Sequence, residues 1–273
     1  MGFFRIGKKT AQTSQGNRIY AIGDVHGCFD LLADLFRRIE RDNKSRDSAA
    51  KTKIIILGDF IDRGPRSAEV CQLLYSLKDY DGVVCLKGNH EEAMLESLAG
   101  DLRALRFWME FGGIATLQSW GVDEKLIKSA PLSESHQHAL IAALRRIVPA
   151  EMVSWLRDLP ISYRDGDYFF VHAGIRPGVS LDAQKMEDLL WIREPFLSSW
   201  RRHEAIIVHG HSETDLVSFN GNRIGIDTAA YRTGCLTALG LDAEQQWTIE
   251  TGLRMPERDP LPIGAPAKHI LSQ

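Results

Sequence analysis

The chain has 273 residues, of which 44% are hydrophobic and 25% are charged, and its formal net charge is −3. This composition is typical of a folded globular protein, and no apolar run reaches the roughly 18 residues that span a bilayer. The small negative charge provides no general attraction to phosphate polymers, so we expect neither a nucleic-acid polymer nor a membrane as partner. Four scattered cysteines without a CxxC pair favour a reduced, cytoplasmic setting.

The first part of the chain predicts alternating strands and helices. Residues 1–16 are predicted to form a tail, since they lack the apolar core of a secretory signal. Short apolar runs then predict buried strands at 18–23, 53–58 and 83–88. Helical periodicity between these runs, as in Leu31, Leu35 and Ile39, predicts strand–helix–strand units with parallel strands.

Residues 91–160 show helical patterns punctuated by prolines, which predict a helical cap inserted between strands. Further strands are predicted at 168–172, 205–210 and 223–227, followed by a closing hairpin of 235–241 and 246–250. Because these strands follow one another closely, the second half should be mixed or antiparallel. We therefore predict an α/β sandwich of two sheets, with a proline-rich tail at 251–273.

A residue able to bind a metal follows five of the predicted strands. Ligands bind beyond the carboxyl ends of strands in open α/β sheets, so these side chains are predicted to meet at one edge. Carboxylate, amide and imidazole donors suit manganese, iron or zinc. Six ligands exceed the three that one catalytic zinc ion usually takes, which favours two ions bridged by Asp59. The candidate ligands are Asp24, His26, Asp59, Asn89, His172 and His211.

Each of these motifs has a structural alternative when it is taken singly. Asp24 and His26 are also typical of a turn with a partly buried histidine. Asn89 and Glu91 are also typical of the start of a helix. The recurrence of such groups after five strands favours a functional site over these separate explanations. For His209, a supporting position beside the site is favoured over direct metal contact.

Five sequence blocks resemble, in order, the signature blocks of the PPP-type metallophosphoesterases. They are Asp24-Val25-His26-Gly27, Gly58-Asp59-Phe60-Ile61-Asp62-Arg63-Gly64, Gly88-Asn89-His90-Glu91, His172-Ala173-Gly174 and Gly210-His211. This family contains serine/threonine protein phosphatases, the phage lambda phosphatase and symmetric diadenosine tetraphosphatases. The resemblance implies a four-layer α/β sandwich, with two mixed β-sheets flanked by helices, as a catalytic domain at 17–250. It also implies a binuclear centre with two divalent metal ions, for which manganese is favoured over iron or zinc.

The resemblance also implies a role for each residue of the site. The first ion would be held by Asp24, His26 and Asp59, and the second by Asp59, Asn89, His172 and His211. His90, oriented by Asp62, would act as the general acid. Phosphate oxygens would be bound by Arg63 and Arg193, with Asn89 and Tyr231 also at the substrate. Many other metallophosphoesterases carry Gly-His-x-His, whereas this chain has Glu213 at the last position, which favours the PPP branch.

These residues support a first functional hypothesis, a phosphomonoesterase of the serine/threonine protein phosphatase type. Hydroxide formed between the two ions would attack phosphorus in line with the leaving oxygen. Its substrate would be a phosphorylated protein or a small phosphorylated compound, and the oligomeric state is not defined by the sequence. The alternative is a dinucleoside-polyphosphate hydrolase that cleaves the phosphoanhydride of a compound such as diadenosine tetraphosphate (Ap4A).

The predicted helix at 101–111 bears on this choice because it contains basic and aromatic residues. Arg103, Arg106, Phe107 and Trp108 could stack a nucleobase. The favoured interpretation is an amphipathic helix that packs its apolar side chains inward, namely Leu105, Phe107, Trp108 and Phe111. A third hypothesis, a binding scaffold that has lost catalysis, is disfavoured because the expected ligands, acid and arginine are all present.

Overall fold

The computed structural model describes residues 10–46 and 49–252. The strands are β1 (Asn17–Ile22), β2 (Lys51–Ile56), β3 (Val83–Cys85), β4 (Ser162–Asp165), β5 (Tyr168–Val171), β6 (Ile206–His209), β7 (Ser218–Phe219), β8 (Arg223–Gly225), β9 (Thr237–Asp242) and β10 (Gln245–Glu250). The helices are α1 (Phe29–Lys44), α2 (Ser67–Ser76), α3 (Asn89–Ala99), α4 (Leu102–Trp108), α5 (Ile114–Ser119), α6 (Glu124–Ser129), α7 (Glu134–Ile147), α8 (Ala150–Asp158), α9 (Met186–Trp191) and α10 (Ala230–Thr233). No helix in these ranges is long and apolar enough to cross a bilayer.

The strands form two mixed sheets of five strands each. In the first sheet the order is β10-β9-β1-β2-β3, with β1, β2 and β3 parallel and β9 and β10 antiparallel as the predicted closing hairpin. In the second sheet the order is β4-β5-β6-β8-β7, with β5, β6 and β8 parallel. The antiparallel edge strands β4 and β7 were not predicted, because β4 is short and polar and β7 has only two residues.

Alternating side chains along the strands create the layers. In β1, Ile19 and Ala21 belong to a core between the sheets, together with Tyr168 and Phe170 of β5. The neighbours Tyr20 and Ile22 face the opposite way and pack with the helices on the outer face of the first sheet. Successive residues of a strand point to opposite faces, so buried strands supply two cores at once. The result is the predicted four-layer α/β sandwich.

The chain between β3 and β4, which the structure describes in full, contains the helices α3 to α8 and no strand, in agreement with the predicted helical cap. Trp108, Leu140 and Leu156 of this insertion share one apolar cluster with Ile22 and Ile56 of the first sheet. The insertion is therefore packed onto the sheet as part of one continuous core. The domain limits themselves remain a prediction, and residues 1–9 and 253–273 of the two predicted tails lie outside the described residues.

The inward packing predicted around α4 is only partly correct. Leu105 and Trp108 are buried, but Phe107 and Phe111 are 38% and 48% exposed. Their rings stack on each other with centroids 4.3 Å apart. A helical pattern of apolar residues specifies a face and not its environment, so the sequence could not separate buried from surface aromatics here.

The core between the sheets should dominate stability. Phe170→Ala removes a fully buried ring between the sheets and should lower the free energy of unfolding by about 3–5 kcal/mol. The matched control is Phe219→Ala, because Phe219 is 52% exposed on β7 and its loss should change the free energy by less than about 0.5 kcal/mol. Urea denaturation of both variants measures the difference. Equal losses in the two variants would contradict the sandwich arrangement.

Candidate metal centre

The candidate site lies where parallel strands of both sheets end. The segments after β1, β2, β3, β5 and β6 bring the six predicted ligands and the predicted acid to one buried location. Seven non-glycine residues in the described part of the chain have positive φ, and five of them are site residues with φ between 44° and 73°. These five are His26, Asp59, Asp62, Arg63 and His211. Such conformations cost roughly 1–3 kcal/mol each and concentrate at functional sites.

Asp59 lies between two groups of histidines. Its Oδ2 is 3.7 Å from His26 Nε2, 3.3 Å from His172 Nε2 and 3.8 Å from His90 Nε2. The ligand atoms of His26, Asp59 and His90 lie within 4.8 Å of one another, and so do those of Asp59, His172 and His211. Asp59 is the member common to both groups, which is the position that a bridging carboxylate requires.

Asn89 and Asp24 adjoin these two groups. Asn89 Oδ1 is 2.7 Å from His172 Nε2 and 2.9 Å from His211 Nδ1. Asp24 Oδ2 accepts a hydrogen bond of 3.0 Å from the backbone N–H of His211. The first three-residue group thus differs from the implied ligand set in one member, since it contains His90 in place of Asp24.

The donor atoms of the site fit divalent cations. Asp24 Oδ1, His26 Nε2 and His211 Nε2 are buried without a hydrogen-bond partner among the described residues. Burial, followed by repulsion from Asp227 and Asp59, raises the pKa of Asp24 well above its usual range. Unpaired buried atoms and mutually repelling carboxylates are both costly. A divalent cation would relieve both costs, and carboxylate with imidazole is a donor set typical of manganese, iron and zinc.

Three of the six candidate ligands have protonation states that suit metal binding. Burial opposes the charged form of Asp59, but His172 and His90 outweigh it and hold the pKa of Asp59 well below its usual range. Burial lowers the pKa of His26 to about 3 and that of His211 to about 2. Both imidazoles are therefore neutral at physiological pH, and the Asp59 carboxylate is ionised. Metal ligands require these forms. Asp24 and His172 would instead have to release a proton on binding the metal, because burial raises the pKa of Asp24, and Asp59 outweighs burial in raising the pKa of His172.

Two glycines let the backbone pass close to the site carboxylates. A Cβ at Gly88 would lie 2.2 Å from Asp59 Oδ1, and a Cβ at Gly210 would lie 1.9 Å from Asp24 Oδ1. Both distances are well inside van der Waals contact. Any larger residue at either position would therefore displace a carboxylate from the site. The glycines of the Gly-Asn-His-Glu and Gly-His motifs are required by packing.

The predicted acid pair is held together by residues of the helical insertion. His90 Nδ1 lies 2.6 Å from Asp62 Oδ2, and Asp62 is fully buried. Asp62 also accepts hydrogen bonds from Trp108 Nε1 at 2.8 Å and from Thr116 Oγ1 at 2.6 Å. Burial lowers the pKa of His90, but Asp59 and Asp62 outweigh it and raise the pKa. The contacts of Trp108 and Thr116 with Asp62 were not predicted from the sequence, because only the tertiary fold brings these residues together.

Glu91 has a structural role at the site that was not predicted from the sequence. Its buried carboxylate accepts backbone hydrogen bonds from Gly88 at 2.8 Å, Asp59 at 2.9 Å and Phe60 at 3.0 Å. Glu91 thereby joins the loop after β2 to the start of α3. Burial and the nearby Asp59 raise its pKa to about 7. Its place in the Gly-Asn-His-Glu motif was the only signal available from the sequence.

Arg63 and Tyr231 lie together beside the histidines. Arg63 Nη1 pairs with Glu213 Oε1 at 3.0 Å, and Arg63 Nη2 is 3.4 Å from His90 Nε2. The guanidinium carbon of Arg63 is 4.9 Å from the ring centre of Tyr231. Tyr231 packs edge-on against His26 at 5.6 Å and donates a hydrogen bond of 3.0 Å to Glu213. Glu213, at the position of the missing second histidine, therefore connects Arg63 with Tyr231.

Arg193 and His209 occupy the margins of the site. Arg193 is exposed, and its Nη2 donates to the backbone oxygen of His211 at 3.4 Å. His209 is buried, with Nδ1 3.0 Å from the oxygen of Gly210 and its ring edge-on to Phe196 at 5.1 Å. His209 belongs to neither three-residue ligand group.

Comparison with known proteins agrees with this geometry. Residues 17–243 match the model of the calcineurin-like phosphoesterases. The chain belongs to this family. Calcineurin-like phosphoesterases are metal-dependent hydrolases, and the predictions of family, enzyme class and fold are confirmed at this level. The family uses divalent metals, and the structure contains His and Asp groups able to hold them.

Curated relatives in this family include bis(5'-nucleosyl)-tetraphosphatases. The symmetrical enzyme of Aromatoleum aromaticum is 26% identical over 75% of this chain and 57% of its own length. The symmetrical enzyme of Pseudomonas fluorescens is 31% identical over 61% of this chain and 45% of its own. The chain thus spans about half the length of these relatives. An asymmetrical enzyme of Anoxybacillus flavithermus is 25% identical over 80% of this chain and 88% of its own.

Solved structures of phosphoesterases share the same fold. A protein provisionally described as a diadenosine tetraphosphatase has a TM-score of 0.58 at 20% identity, covering 90% of this chain and all of that one. A cold-active protein tyrosine phosphatase from Shewanella has a TM-score of 0.51 at 19% identity, covering 87% of this chain and 82% of that one. These likenesses confirm the sandwich fold.

The shared position of Asp59 can be tested through metal affinity. Asp59→Asn removes the charge common to both ligand groups, so Mn²⁺ affinity should fall by more than the roughly 10-fold typical of losing a supporting residue. Calorimetric titration of metal-free protein with Mn²⁺ measures the change. Asp158→Asn, an exposed carboxylate at the end of α8, is the matched control and should bind as the unaltered protein does. Unchanged affinity in Asp59→Asn would contradict the site.

Proposed function

We propose that this chain hydrolyses the phosphoanhydride of a dinucleoside polyphosphate with the help of two divalent cations. Mn²⁺ is the cation we favour. The observation that supports this most is the pair of ligand groups sharing Asp59, in the first of which His90 is also hydrogen-bonded to Asp62. The choice of substrate follows the names of the curated relatives, which are bis(5'-nucleosyl)-tetraphosphatases. The first hypothesis, a serine/threonine protein phosphatase, has no comparable support among these relatives.

The proposed ligands divide between the two cations, with Asp24 and Asn89 added to members of the two groups. The ligands for one cation are Asp24, His26 and Asp59, and those for the other are Asp59, Asn89, His172 and His211. Two cations at such a site supply Lewis acidity toward phosphate oxygens and lower the pKa of a water molecule. Neutral His26 and His211 and ionised Asp59 match this requirement, because no proton has to leave these groups before metal binds.

The proposed role of His90 is to donate a proton to the leaving oxygen. Its raised pKa keeps the imidazolium form available near neutral pH, and the Asp62 hydrogen bond at Nδ1 directs Nε2 toward the ligand groups. Asp62 is a positioning residue, since its carboxylate is buried by Trp108 and Thr116 and contacts His90 alone among the site histidines. When the leaving oxygen departs, the proton passes from His90 Nε2 to that oxygen.

The proposed phosphate-binding groups are Arg63 and Arg193. Arg63 Nη2 lies near His90 Nε2, so the guanidinium borders the position where the leaving oxygen would be. Guanidinium groups bind non-bridging phosphate oxygens through two parallel hydrogen bonds. Asn89 and Tyr231 are proposed to adjoin the same phosphate. A reduced, cytoplasmic setting is part of the proposal, and the free thiols of all four cysteines support it.

The purified chain should cleave Ap4A. Symmetrical cleavage would give two molecules of ADP. Excess EDTA should abolish the reaction and Mn²⁺ should restore it, because the two cations would activate the water molecule that attacks phosphorus. Chromatography of the nucleotide products measures both effects, and a phosphoserine peptide assayed in parallel provides the comparison. Efficient release of phosphate from the peptide with no cleavage of Ap4A would contradict the proposal and support a serine/threonine protein phosphatase instead.

The roles of His90 and Asp59 can be separated with aryl phosphates of different leaving groups. His90→Asn should reduce kcat for phenyl phosphate by about 10²–10⁴-fold and kcat for p-nitrophenyl phosphate by much less, since nitrophenolate leaves without a proton. Asp59→Asn should reduce both rates equally, because it removes activation of the water. Steady-state kinetics on the two substrates measures the ratio. The same ratio for both variants would contradict the proton-donor role.

A further inference from the structure

A row of aromatic rings, half-buried at Trp191 and exposed at Phe107 and Phe111, leads away from the candidate metal centre. His211 lies edge-on to Trp191 at 6.4 Å, and Trp191 lies edge-on to Phe107 at 5.5 Å. Phe107 stacks on Phe111 with ring centroids 4.3 Å apart and planes inclined by 30°. We call Trp191, Phe107 and Phe111 the aromatic row. It joins α9 to α4 and begins at a residue of the metal centre itself.

The other end of the aromatic row also borders the site. Phe111 precedes Gly112, whose backbone oxygen accepts a hydrogen bond of 3.2 Å from the N–H of Arg63. A Cβ at Gly112 would lie 2.8 Å from Arg63 Cγ, so the backbone beside Phe111 is in close contact with the arginine. The aromatic row is thus fixed to the metal centre at His211 and to Arg63 near Phe111. Substrate held at Arg63 would have Phe111 as a neighbour.

The aromatic row is exposed in a way that core residues are not. Phe107 is 38% exposed, Phe111 is 48% exposed, and the nearby Ile114 is 40% exposed. Clustered exposed apolar side chains usually mark a binding surface. Cations near the row include Arg193, which is exposed beside His211, and Arg103, which is one helical turn before Phe107 on α4. Acidic residues near the row in sequence are Glu110, which precedes Phe111, and Glu187 and Glu194, which lie on either side of Trp191. The surface therefore combines flat apolar rings with charged side chains, among them exposed arginines.

These features together favour one occupant. A nucleobase is flat, polarisable and covalently linked to phosphates, so its phosphates would lie at Arg63 while the base covers the rings. An aliphatic partner has no flat face to place on the rings of Phe107 and Phe111. We propose that the aromatic row is the nucleobase-binding subsite of the enzyme, with Phe111 as the principal stacking residue. This inference rests on the proposed function for the identity of the phosphate site.

The subsite can be tested by binding, without turnover. Full-length protein loaded with Mn²⁺ is titrated calorimetrically with ADP and, separately, with pyrophosphate, which has the phosphates but no base. Phe111→Ala should weaken ADP binding by about 10-fold, the effect expected for loss of one stacked base. Pyrophosphate affinity should change by less than about twofold. Phe111→Trp keeps a stacking surface and should restore most of the ADP affinity.

Phe219→Ala is the matched control, because Phe219 is an exposed phenylalanine on β7 of the second sheet. It should bind ADP as the unaltered protein does. Equal weakening of ADP and pyrophosphate in Phe111→Ala, or no weakening of ADP, would overturn the subsite. A change of sedimentation coefficient in Phe111→Ala with unchanged ADP affinity would identify the row as a contact between copies of the chain, and would also overturn it.

Failure of the proposed Ap4A hydrolysis can be distinguished from failure of the nucleobase subsite. If the unaltered protein binds ADP more tightly than pyrophosphate and Phe111→Ala removes this preference, the subsite stands even if Ap4A is not cleaved. If Ap4A is cleaved but Phe111→Ala retains the preference of the unaltered protein for ADP, the proposed function stands and the subsite is wrong. The two conclusions are therefore separately testable.

Discussion

The site depends on one constraint, the maintenance of a charged carboxylate at Asp59 in a fully buried position. Burial alone would favour the protonated acid, and His172 and His90 offset that cost. The backbone N–H of His90 also donates to Asp59 Oδ1 at 3.0 Å. Glu91 in turn accepts the backbone N–H of Asp59, so the loops after β2 and β3 are locked to each other. The strained backbone of the site is stable because these contacts determine it from several sides.

The helical insertion is also directly connected to the proposed acid pair, His90 and Asp62. Trp108 and Thr116 both donate to Asp62, and Gly112 contacts Arg63. The same stretch of chain carries Phe107 and Phe111 on its surface. Since its buried side chains share the core of the first sheet, the insertion has little freedom to move as an independent lid. The helical insertion therefore determines both the orientation of the proposed acid and the shape of the adjoining surface.

Much of the architecture was predictable because strand ends and residue chemistry coincide in this sequence. Apolar runs followed by polar residues located six ligand candidates, and the structure brings all six to one buried place. The polar strand β4 and the two-residue strand β7 carry too weak a pattern to be recognised. Trp108 and Thr116 could not be assigned to Asp62, because 46 and 54 residues separate them from it along the chain. The exposure of Phe111 depends on what packs above the helix, and a single helix pattern does not contain that information.

The proposed metal centre requires that Asp59 is shared between two cations. Crystals of the full chain soaked in Mn²⁺ and measured near the manganese absorption edge provide the most direct test. If Asp59 is shared, two anomalous peaks should lie on either side of its carboxylate, one near His26 and one near His172 and His211. A single peak, or peaks that do not contact Asp59, would contradict it.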